Sequence, residues 1–148
     1  MSKINYQAFH ILLILFFILF YPMLISIYFF LPLFIGSMSY MLIQGLEKKK
    51  PFYSLLSIIF LINLEINLSL PLFLSIITAL LFYATLYPSL IYFRRCKLCK
   101  PLLSVLILDV FYLSMLFAFD FIFQINSVTL DTILLYSLII DLFVVTVL

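Results

Sequence analysis

The chain is short of almost everything that chemistry in water uses. It has 148 residues, of which only 9% are charged, with two glycines, two cysteines, one histidine and no tryptophan. A soluble domain carries about 25% charged residues. With 68% hydrophobic residues and a mean hydropathy of +1.37, no core of this size can hide the apolar side chains, because a small domain exposes much of its surface. The solvent these residues call for is lipid. One histidine, His10, excludes a Ser-His-Asp constellation. Two glycines exclude a glycine-rich phosphate loop. Two cysteines and that histidine fall short of the four ligands of a structural zinc site. The sequence therefore predicts no catalytic, cofactor-binding or metal-binding residues. The net charge of +2 gives no reason to expect nucleic acid. The excess of Phe, Ile and Leu fits an A+T-rich genome and carries no function.

What is present is a series of long apolar runs. From Phe9 to Leu46 there is no charged residue. As one helix this run would extend about 57 Å at 1.5 Å per residue, against a hydrocarbon core of about 30 Å. It should fold back, and Pro22 and Pro32 are the natural breaks. Between Pro51 and Phe93 the only charge is Glu65, inside NLEINLSLP, a polar, breaker-rich patch that reads as a turn at the far surface. The spacing predicts an all-α, single-domain polytopic membrane protein with six transmembrane helices at about 8–22, 30–46, 52–64, 70–93, 101–123 and 130–147. Pro88 should kink the fourth. No internal repeat is expected. The first apolar stretch follows Lys3 without a small-x-small cleavage site, so it reads as an uncleaved helix.

The cations give the orientation. Lys3, Lys48, Lys49, Lys50, Arg94, Arg95, Lys97 and Lys100 lie at the N-terminus, after helix 2 and after helix 4. With six helices all three places share one side, which the positive-inside rule makes cytoplasmic. Both termini are then cytoplasmic, in a multi-pass protein of a bacterial inner membrane. The stretch FRRCKLCKP (93–101) is thus first a topological signal. Cys96 and Cys99 are expected as reduced cytosolic thiols.

The residues able to carry function are the intramembrane acids. Asp109 should lie near mid-membrane, Asp120 about three turns further on nearly the same face, and Asp141 in helix 6. A central Asp costs about 2.5–3.5 kcal/mol on the insertion scale, so it should face protein or a cavity. One reading is a relay or ion site. The other, which we favour for Asp109, is inter-helix bonding or contact with a partner subunit. Asp120 is placed to reach the outer headgroups, and Glu65 should sit at the outer surface or in a shallow outward pocket.

This layout resembles the MreD family, the small membrane subunit of the bacterial rod-shape machinery. The likeness begins at FFLPLFIGSMSYMLIQGLEKKKP (29–51), which is similar to the family's leucine-proline, helix and short basic turn. It continues in FLINLEINLSLPLFLSIITALLFYATL (60–86), where Glu65 stands at an acidic position, and in LSVLILDVFYLSMLFAF (103–119), where Asp109 matches an internal Asp. Asn67, Ser69 and Pro71 stand where the family carries glycines. The resemblance implies a non-enzymatic scaffold working with membrane lipid, MreC, the elongation penicillin-binding protein, its SEDS glycosyltransferase and MreB filaments in peptidoglycan synthesis. The alternative is a substrate-binding membrane subunit of a vitamin or metal transporter, which predicts a polar pocket lined by Asn63, Glu65 and Asn67.

Overall fold

A computed structural model describes residues 2–28, 30–93, 95–124 and 131–147, the side chains of residues 2–5, Phe93 and Asp131 excepted. Arg94 and residues 125–130, between the predicted fifth and sixth helices, lie outside the described residues, as does the side chain of Lys3. The described chain is all-α, with seven α-helices: α1 (Ser2–Ile27), α2 (Ile35–Glu47), α3 (Pro51–Asn67), α4 (Leu74–Thr85), α5 (Tyr87–Leu90), α6 (Cys99–Phe123) and α7 (Asp131–Val147). A 3-10 turn, Ile91–Phe93, follows α5.

Two prolines act differently from expectation. Pro22 is a predicted helix end, yet α1 runs through it to Ile27. A proline inside a helix leaves the carbonyl four residues back without its amide partner. Here Asn63 of α3 supplies the donor: its Nδ2 lies 2.9 Å from Leu19 O and 3.5 Å from Ile18 O. The break is satisfied by a neighbouring side chain, so the helix need not stop. Pro88, by contrast, breaks rather than kinks the predicted fourth helix. The run 70–93 becomes α4, α5 and the 3-10 turn.

The expectation of no internal repeat is also corrected. LPLF occurs at Leu31–Phe34 and again at Leu70–Phe73. Each copy opens a helix through a phenylalanine in the left-handed region, Phe34 with φ 54° before α2 and Phe73 with φ 65° before α4. Bulky residues rarely adopt this conformation. Each copy is followed by a small residue at the second helical position, Gly36 or Ser75. The preceding elements close alike too. In α2, Lys50 N–H bonds Gly45 O and Lys49 N–H bonds Leu46 O; in α3, Leu70 N–H bonds Glu65 O and Ser69 N–H bonds Ile66 O. These are Schellman closures, with Lys49 and Ser69 in the left-handed position usually held by glycine.

The helix α2 packs against α3, α4, α6 and α7, and α3 packs also against α1; α6 packs against α2, α4 and α7. Its buried stripe is Val105, Leu108, Tyr112 and Leu116. Among the described side chains of α1, only Ile18, Tyr21, Pro22 and Ile25 are buried; residues 6–17 are exposed on every face. α1 (from Tyr6) and α6 are each long and apolar enough to cross a membrane. α2 and α4, with 13 and 12 residues, extend about 20 and 18 Å, short of a hydrocarbon core of about 30 Å.

Candidate functional site

The short helices α2 and α4 begin inside the bundle, and a helix N-terminus brings backbone N–H groups with no partner of their own. Away from water each must find an acceptor. The chain meets this need with carboxyl groups carried on other helices.

Glu65 serves α4. Its Oε2 accepts from Phe73 N–H at 2.7 Å, and its Oε1 accepts from both Ser75 N–H and Ser75 Oγ at 2.7 Å. The residue is 0% exposed, so the expected position at an outer surface or shallow pocket is corrected. The side chain lies inward because the turn that closes α3 doubles back over it. The negative end also faces the positive end of the α4 dipole. Asn67 bonds Asn63, so the polar members of NLEINLSLP bond one another and the backbone.

Asp141 serves α2. Its Oδ2 accepts from Gly36 N–H at 3.0 Å, across 105 residues of sequence, and its Oδ1 accepts from Ser37 Oγ at 3.2 Å. One turn earlier on α7, Ser137 Oγ accepts from Leu33 N–H at 3.0 Å. Tyr21 of α1 donates to Pro32 O at 2.9 Å. Both sides of the first LPLF are thereby held by other helices. Asp109 of α6 comes to the same place. A Cβ on Gly36 would stand 2.5 Å from its Oδ1 and 2.6 Å from its Oδ2, so any larger residue there would displace the Asp109 carboxyl group. Asp109 Oδ2 and Tyr112 OH, one turn further along α6, are buried without hydrogen-bond partners among the described residues. No third His, Cys, Asp or Glu among the described residues joins Asp109 and Asp141 in a metal-binding cluster. Asp120 is half-buried, about 16 Å further along the helix axis, and belongs to neither cap.

The two basic turns meet at one end. Lys100 Nζ lies 3.9 Å from Glu47 Oε1 and 4.8 Å from the centre of the Tyr87 ring, and Tyr87 OH donates to Glu47 Oε2. Lys48, Lys50, Lys97 and Lys100 border a cleft of about 950 Å³. Lys49 and Arg95 are exposed beside it. The expected free thiols are corrected: Cys96 and Cys99 form a disulfide. The turn brings their Cα atoms to 5.2 Å, inside the range a disulfide spans.

Sequence reasoning counts Asp141 with Asp109 and Asp120 among the intramembrane acids able to carry function but assigns it no partner, although Asp141 holds the α2 terminus. The signal is the second LPLF: two identical helix openings need two acceptors, and the acids are where those acceptors come from. Comparison with family models, curated proteins and solved structures finds no match to this chain.

Proposed function

We propose that the chain is a six-span membrane scaffold subunit, of the kind the MreD resemblance implies, in the bacterial cell-elongation machinery. The observation that carries this reading is where the polar groups go. Glu65, Asp141, Ser137 and Asn63 each bond backbone groups of another helix or of a helix opening. A transporter subunit would instead turn such groups toward a ligand. Asn63 and Asn67 bond protein atoms and neither borders the cleft, which opens among the lysines. Meanwhile Phe9, Leu12, Phe16, Phe20 and Met23 of α1 are exposed, as are Phe121 and Ile122 of α6. Apolar surface on this scale marks contact with lipid or with another membrane protein.

In this reading the basic turns face the cytosol, the carboxyl caps make a rigid bundle, and α1 and α6 offer faces to MreC and the elongation penicillin-binding protein. The test is co-purification of both partners with the tagged chain from a native membrane, together with cell width on depletion. Recovery of the partners and rounding of depleted cells are expected. A purified chain that gains melting temperature with a vitamin or metal ion, without recovering either partner, would overturn the scaffold in favour of the transporter subunit.

A further inference from the structure

The cleft among the lysines has two chemically distinct ends. Lys48, Lys50, Lys97 and Lys100 are at its mouth, and Phe17, Met38, Met41, Val144 and Val145 line its body. Lys48, Lys50 and Lys97 are exposed. Glu47 is the only acid in either basic turn, and it is engaged by Lys100 and Tyr87. Among the described residues, Lys48, Lys50 and Lys97 therefore line the mouth without a carboxylate paired to them. The apolar walls come from five helices: α1 (Phe17), α2 (Met38, Met41), α3 (Tyr53), α6 (Pro101) and α7 (Val144, Val145). From Lys48 at the mouth to Ser37 at the deep end the cleft follows α2 for about 16 Å. One leaflet of a hydrocarbon core of about 30 Å is of that depth. The volume, about 950 Å³, is at the upper end of the range of about 300–1,000 Å³ for ligand pockets.

We propose that this cleft binds one anionic phospholipid of the leaflet that meets the basic turns. Its phosphate sits among Lys48, Lys50 and Lys97, and its hydrocarbon chain lies along Met38, Met41 and Phe17. A phosphate supplies the charge the three lysines lack. A chain supplies apolar contact for walls that water wets poorly, and methionine suits a flexible occupant because its unbranched thioether adapts to irregular shapes. Gln44, whose Nε2 donates to Tyr40 OH at 2.9 Å, gives the polar step between head and chain. A free phosphate would use the mouth and leave the body empty. The proposal rests on the membrane reading above, and is independent of which proteins the scaffold serves.

The test uses the full chain purified in a neutral detergent, with radiolabelled phosphatidylglycerol as the probe. Phosphatidylcholine of the same chains, glycerol 3-phosphate and inorganic phosphate are competitors. Saturable binding at one lipid per chain is expected. Phosphatidylcholine should compete at least about tenfold more weakly, and the two soluble phosphates not at all. The double substitution Lys48→Gln, Lys97→Gln should weaken phosphatidylglycerol by about 25-fold, about fivefold per lysine near a membrane surface, and equalise the two lipids. Met41→Trp, which fills the body and leaves every lysine in place, should weaken both lipids. Val144→Phe should do the same from α7 if the first variant fails to fold. Equal affinity for the two lipids in the wild type would overturn the proposal. So would competition by inorganic phosphate, which would mark a simple anion site. Lipid binding unchanged by filling the body would also overturn it, and would assign the cleft to an acidic segment of a partner protein. Failure of the membrane reading is read separately, as a chain that stays soluble and monodisperse when detergent is removed.

Discussion

Replacing Glu65 by glutamine and Asp141 by asparagine removes one acceptor oxygen from each of two buried caps, and the structure predicts unequal losses. Glu65 takes two backbone N–H groups on two different oxygens, Phe73 N–H on Oε2 and Ser75 N–H on Oε1. An amide has one acceptor oxygen. In either orientation the side chain of Glu65→Gln therefore turns its NH₂ toward one of those donors and strands it. A buried donor left unsatisfied costs about 1–3 kcal/mol. At about 2–4 °C per kcal/mol for a chain of this size, melting should fall by about 2–12 °C. Asp141 takes one backbone N–H, from Gly36, and one hydroxyl, from Ser37. In Asp141→Asn the amide oxygen stays on Gly36 and the NH₂ donates to Ser37 Oγ, which then donates to Phe34 O, already 3.1 Å away. Neither Gly36 N–H nor Ser37 Oγ is stranded, and at most the helix-dipole contribution is lost, about 0.3–1 kcal/mol. The assay is thermal unfolding in detergent, followed by the loss of the monodisperse peak in size-exclusion chromatography. Equal shifts for the two variants would refute the donor count, and Glu65→Gln melting with the wild type would refute the cap itself.

Asn63→Leu should lower stability by about 0.6–1.7 kcal/mol, the range for one intramembrane hydrogen bond, and by less when Pro22→Ala restores the missing amide; thermal melts of the two single variants and the double variant check this. Gly45→Ala places a Cβ 2.8 Å from Ser54 N, a backbone atom that yields little, so α2 and α3 must separate and melting should fall by an amount typical of overpacking, about 1–3 kcal/mol. Asp109→Asn retains size and polarity beside Gly36 and should leave melting and partner recovery near wild type. Asp109→Leu sets a larger apolar group against that close approach and should lower both; unchanged melting and partner recovery with Leu would show the residue to be a passenger.

The parts of this fold legible in the sequence are those set by solvent. Apolar runs became helices, and two of them, α1 and α6, are long and apolar enough to cross a membrane. The basic turns at Lys48–Lys50 and Lys97–Lys100 came together at one end, as cations excluded from apolar surroundings must. What was not legible depends on partners distant in sequence. Pro22 reads as a stop until Asn63 is seen on the carbonyls before it. Glu65, in a patch of Asn, Ser and Pro, reads as a surface turn. The patch is polar because it closes one helix and opens the next, and both tasks are done by its own atoms. Asp141 carries no local signal at all, since its partners lie 104 and 105 residues away. The cleft is equally silent, because its walls come from five helices whose relative placement no pattern encodes.

The two LPLF segments explain why a chain so poor in polar residues keeps acids at depth. Each segment turns the backbone through a left-handed phenylalanine and starts a short helix inside the bundle. Each start exposes N–H groups that must find an acceptor once buried. A carboxyl group on a neighbouring helix answers both the hydrogen bonds and the dipole, and Glu65 and Asp141 hold those places. Asp109 does not fit this arithmetic. The α2 terminus is already capped by Asp141, yet a second carboxyl group stands against Gly36 with one oxygen unpartnered among the described residues. A residue needed only to cap α2 would be redundant there. That carboxyl group stands beside Gly36 of α2, whose N–H Asp141 of α7 accepts, so α2, α6 and α7 bring polar groups to a single residue.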